Sequence, residues 1–127
     1  MKQLLLICAV VALVGCGPTI SDPIVEKAIR VELKIPTGKL TKADYEKIKE
    51  LDLSWNQLTK VPKGLENLTQ LEMLLLGNNK LTDVKGLEKL TQLNQLNLEN
   101  NPDLTKAQID QLQKALPNCD IRSHGTK

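Results

Sequence analysis

Lys63-Gly-Leu-Glu-Asn-Leu-Thr-Gln-Leu71 returns as Lys85-Gly-Leu-Glu-Lys-Leu-Thr-Gln-Leu93, with eight of nine positions identical at an offset of 22 residues. A period of this length marks a solenoid, whose units stack because none can bury its apolar face alone. The beat continues beyond the copied stretch. Leu71, Leu74, Leu76, Asn79 and Leu81 correspond downstream to Leu93, Leu96, Leu98 and Asn101, and upstream to Ile48, Leu51, Leu53, Asn56 and Leu58, with one extra residue near Pro62. Positions 4 and 6 of each unit are apolar and position 5 turns the other way, which is the alternation of a β-strand. Short parallel strands, stacked side by side, are therefore expected.

The unit Leu-x-x-Leu-x-Leu-x-x-Asn-x-Leu resembles the leucine-rich repeat, and its tail with Val84, Leu87 and Leu90 is similar to the short internalin-type bacterial repeats. The resemblance implies an α/β fold: a short leucine-rich-repeat solenoid with parallel strands on the concave face and helical caps at both ends. It also implies that Asn56, Asn79 and Asn101 turn their amides inward, where backbone groups leaving the strands need partners. With no Phe, one Trp and one Tyr, the core must be aliphatic and regular, because aromatic bulk is what fills irregular space.

Both ends of a solenoid expose an apolar cross-section and need covering. At the front, Asp22-Pro23 reads as an N-cap with proline in the first turn. Ile24, Val25, Ala28, Ile29 and Leu33 follow as a helical stripe that Pro36-Thr37-Gly38 ends. Thr41 with Asp44 forms a capping box, and Leu40 with Tyr45 a hydrophobic staple, for a second helix leading into Ile48. At the far end Thr105 with Gln108 is another capping box, and Ile109, Leu112 and Leu116 line one face before Pro117. Aligning Leu116 with position 1 puts Cys119 at position 4 and Ile121 at position 6 of a fourth strand.

Upstream of the caps, Met1-Lys2 precedes an unbroken apolar run from Leu4 to Val14, long enough for a signal h-region and too short for the roughly 20 residues a bilayer span needs. Leu13-Val14-Gly15-Cys16 resembles the lipobox of bacterial lipoproteins, which implies cleavage before Cys16 and its acylation. Multiple acyl chains hold a protein durably at a membrane where one holds marginally. Gly17 follows the cysteine, which by the same resemblance points to the outer rather than the inner membrane of a diderm host. The chain thus divides into a signal peptide (1–15), a tether (16–20), a helical N-terminal cap (21–47), repeats (48–104), a capping helix and strand (105–122) and a tail (123–127).

Other chemistry finds little footing. Lys and Arg number 17 against 15 Asp and Glu, so no charge-driven partner is implied, and nucleic acid would need a basic face or stacking aromatics. Cys119 reads as a buried small hydrophobe and His124 falls in the tail, so no thiol and imidazole pair is expected. Glu99-Asn-Asn-Pro-Asp103 lacks the glycine and distal glutamate of a calcium loop. No catalytic residue, metal, cofactor or small-molecule substrate is expected.

A surface remains. Positions 3, 5 and 7 face the concave side: Glu50, Asp52 and Ser54; Met73, Leu75 and Gly77; Gln95, Asn97 and Glu99; Asn118, Asp120 and Arg122. Trp55, at position 8, stands on the rim. Met73, Leu75 and Trp55, flanked by Asp52 and Asn97, form the candidate partner-binding spot, for another protein or an envelope polymer. The sequence therefore reads as a membrane-anchored interaction module, with a passive structural envelope lipoprotein as the alternative.

Overall fold

The computed structural model describes residues 22–123, so the signal, Cys16 and His124 lie outside the described residues. Four three-residue strands, β1 (Glu50–Asp52), β2 (Met73–Leu75), β3 (Gln95–Asn97) and β4 (Asp120–Arg122), form one parallel sheet in chain order. Parallel neighbours need a long return, and the body of each repeat supplies it. In the two inner repeats the return tightens into 3-10 turns at Leu65–Asn67 and Leu87–Lys89. Gly64 and Gly86 enter these turns at φ 97° and 103°, a region that side chains disfavour.

The strand register aligns Leu51, Leu74, Leu96 and Ile121 in one row, between a row of Glu50, Met73, Gln95 and Asp120 and a row of Asp52, Leu75, Asn97 and Arg122. The middle row points into the core. Leu51, Leu74 and Leu96 are buried, as are Leu53, Leu76 and Leu98 two residues on, and Leu71 and Leu93 at strand entry. The asparagines stack behind them. The Asn79 side chain accepts the N–H groups of Asn56 and Leu58 (2.9 and 3.0 Å) and donates to the carbonyls of Leu53, Leu76 and Gly77. Asn101 repeats the pattern with Leu81 N–H and the carbonyls of Leu76, Leu98 and Glu99. Asn56, with no repeat before it, is exposed, and its side chain bonds only its own turn, at Leu53 O and Ser54 O.

Helix α1 (Pro23–Leu33) covers the first strand and buries Val25 and Ile29, with Ile24, Ala28 and Leu33 packed beside them. Asp22 caps it by accepting the N–H groups of Ile24 and Val25. Its end comes earlier than Pro36: Lys34 turns left-handed at φ 60° and returns its N–H to the helix, so the turn precedes the proline. Helix α2 (Lys42–Tyr45) is a single turn held by the Thr41–Asp44 capping box, with Tyr45 buried. Its hydrogen bonds with Thr41 hold the Asp44 carboxyl below the usual carboxylate range.

Helix α3 (Lys106–Ala115), capped by Thr105 and Gln108, closes the far end. Here the expected register needs correction. Asp120 and Arg122 pair with Gln95 and Asn97, which places them at positions 3 and 5, and Ile121 at 4 rather than 6. Cys119 does not reach position 4. It closes onto Leu116 O the same turn that Leu93 closes onto Leu90 and Leu71 onto Leu68, so it stands at strand entry. Gln113 fixes this exit from the helix by donating to the carbonyls of Leu116 and Cys119 (3.0 and 2.8 Å). The slip spans two residues, and an even slip preserves which face each side chain takes. Asp120 and Arg122 thus remain on the concave side, while Asn118 falls outside the strand.

Cys119 is 4% exposed, and burial followed by the neighbouring Asp120 carboxylate pushes its thiol above the ordinary range. In the folded protein a maleimide should therefore modify Cys119 slowly, and in urea rapidly. Mass spectrometry of timed samples reads both rates, and equal rates would contradict the burial.

Candidate functional site

The concave face is a small polar field with an apolar centre. Glu50 and Asp52 on β1 are exposed, Met73 and Leu75 on β2 are half-buried, and β3 and β4 contribute Gln95, Asn97, Asp120 and Arg122. A shallow depression of about 250 Å³ lies on the β2–β4 half, lined by Leu75, Gln95, Leu96, Asn97, Asp120 and Arg122. Leu96 is buried beneath it, so Leu75 is the half-exposed aliphatic side chain beside a guanidinium, a carboxylate and two amides.

The five residues singled out from the sequence do not share one cavity. Leu75 and Asn97 line the depression. Met73 shares its row with Gln95 and Asp120 but does not line the depression, and Asp52 borders a separate groove against α1, with Ile24, Ala28 and Val31. The two polar residues also have internal partners. Asp52 accepts the Ser54 N–H at 2.9 Å and Asn97 accepts the Glu99 N–H at 2.8 Å, each binding the backbone two residues on. Gly77 is buried beneath the concave Asn97 side chain, and a Cβ there would lie 3.2 Å from Asn97 Oδ1. Gln95, Asp120 and Arg122 complete the depression. The strand alternation had put them on this face, but the slipped fourth register hid that Arg122 stands directly opposite Asn97.

Trp55 has a different standing. Its ring is 77% exposed, and its backbone is left-handed at φ 61°. The equivalent turn positions in the next repeats are Asn78 and Asn100, at φ 58° and 60°, and Asn100 Nδ2 donates to Asn78 Oδ1. Asparagine tolerates this conformation, whereas an ordinary side chain costs about 1–2 kcal/mol there. Trp55 carries that cost without burying its ring in return. Among the described residues no three His, Cys, Asp or Glu side chains are grouped to hold a metal. No helix among them is long and apolar enough to cross a membrane.

Comparison with known proteins agrees with this architecture. The family described as "Leucine-rich repeat and WD repeat-containing protein 1, LRR" matches residues 37–124. Among solved structures, an internalin (inlF) from Listeria monocytogenes superposes with a TM-score of 0.63 at 24% identity, over 80% of this chain and 29% of that one. The CBM51-2 and INT domains of Clostridium perfringens ZmpB give a TM-score of 0.48 at 30% identity, over 64% of this chain and 18% of that one. No curated protein matches. The chain thus spans about three tenths of the internalin it resembles. By family match, repeat spacing and parallel register together, it belongs to the leucine-rich-repeat family.

Proposed function

We propose that this is a lipid-anchored protein of the bacterial cell envelope, held by acylated Cys16, that presents its concave face to another protein or an envelope polymer. Trp55 carries the reading. A large aromatic side chain kept mostly exposed in an unfavourable backbone conformation adds little core burial, and exposed Trp is a common binding hot spot. Leu75, Asn97, Gln95 and Arg122 extend the contact across the sheet, with Met73 and Asp52 at its margin. The lipobox resemblance and the apolar run before it support the anchor, and Gly17 favours the outer membrane in a diderm host.

About ten concave positions fall short of the roughly 20–30 residues per side of a standard interface, so single contacts are weak. Many copies on one membrane offset this through effective concentration. The variant Trp55→Asn with Leu75→Ser tests the site. Asparagine suits the left-handed turn, so the Trp55→Asn change alone should raise stability by about 1 kcal/mol, read from urea midpoints. The double variant should stay membrane-bound and lose the partner that co-purifies with the parent from detergent extracts. A folded double variant that retains that partner would exclude the concave site.

A further inference from the structure

Apart from Trp55, the only large hydrophobic side chain left exposed among the described residues is Val31, at 69%, on the outer face of α1. It is not alone there. An open groove of about 630 Å³ runs along this face, lined by Pro23, Glu26, Lys27, Arg30, Val31, Lys34 and Pro36. Pro23, Lys27 and Val31 recur every four residues and form one ridge opposite buried Val25 and Ile29, and Lys34, the left-handed residue that ends the helix, borders the same groove. Their charge is one-sided. Glu26 is consumed by Arg30, at 2.9 Å, and the same guanidinium also donates to the carbonyls of Ile35 and Gly38. Lys27 and Lys34 form no ion pair among the described residues, while Glu32 and Asp52 stand across the neighbouring groove that Lys27 and Val31 also line. On the outer groove itself, Val31 lies between two ammonium groups that no carboxylate pairs.

We infer that this face of α1 rests on the anionic surface of the bilayer that holds the anchor, so that the solenoid is oriented rather than freely swinging. The inference depends on the reading of Cys16 as the acylated residue. Five residues lie between Cys16 and the Asp22 cap, and a fully extended chain over those six steps reaches only about 20 Å. The start of α1 is thus confined to the headgroup neighbourhood. Of the surfaces that could lie there, the Lys27, Val31 and Lys34 face has the chemistry an interface favours: ammonium groups for phosphates and a small apolar side chain between them. With α1 against the bilayer, the sheet it caps is carried at a fixed attitude.

The test uses the full mature lipoprotein reconstituted in phosphatidylethanolamine vesicles containing phosphatidylglycerol. A bimane label is placed at Val31→Cys or, as a control on the convex side, at Glu88→Cys, and nitroxide-bearing lipids act as quenchers. Both positions are exposed, so neither change disturbs the core. Quenching at position 31 should exceed that at position 88 several-fold, and should fall to the control level when Lys27→Glu and Lys34→Glu are added. Equal quenching at both positions with an acyl mass on Cys16 would overturn the orientation alone. A mature N-terminus without acyl groups would overturn the anchor, and the orientation with it.

Discussion

Leu74→Ala is expected to destabilise the domain by about 2–5 kcal/mol, whereas Leu75→Ala should cost less than about 1 kcal/mol. The two residues are chain neighbours on one three-residue strand. Leu74 is fully buried in the row between Leu51 and Leu96, so its truncation leaves a cavity that rigid stacked strands close poorly. Leu75 faces the depression, half-exposed already, and leaves no void. A domain of this size is stable by only about 5–15 kcal/mol, so the first change consumes a large share of the margin. Urea midpoints at constant m-value decide the matter, and equal losses at the two positions would contradict the strand alternation.

The next largest effect is expected at Asn79. Its carboxamide satisfies two N–H groups and three carbonyls and is 4% exposed, so Asn79→Ala strands backbone groups where water has little access. Each buried polar group left unpaired costs about 1–3 kcal/mol, and a total of about 3 kcal/mol or more follows. Asn56→Ala is the control. That side chain is exposed and water replaces its bonds, so its loss should stay below about 1 kcal/mol. Thermal unfolding of the two variants side by side separates a buried ladder from a row of surface amides, and equal losses would favour the surface row.

The repeat was legible because a strict period leaves the hydrophobic pattern little freedom: once Leu74 points inward, register carries Leu51 and Leu96 with it. The caps were legible from local chemistry, since Thr41 with Asp44 and Thr105 with Gln108 satisfy helix-end donors within four residues of chain. The fourth strand was not. It follows an α-helix rather than a 3-10 turn, and the exit depends on Gln113 reaching the carbonyls of Leu116 and Cys119, a contact that no periodicity announces. The site suffered from the same gap, because the place of Arg122 follows from that register. The left-handed turn at Trp55 was hidden for another reason. Asn78 and Asn100 mark the conformation by residue type, and tryptophan at the equivalent position does not.

Site-specific photo-crosslinking in intact cells tests most directly whether the concave face is the working surface. A photoreactive amino acid in place of Leu75 should give a discrete higher-mass adduct, while the same residue in place of Lys85 on the convex side should give none. Adducts from position 85 with none from position 75 would contradict the account.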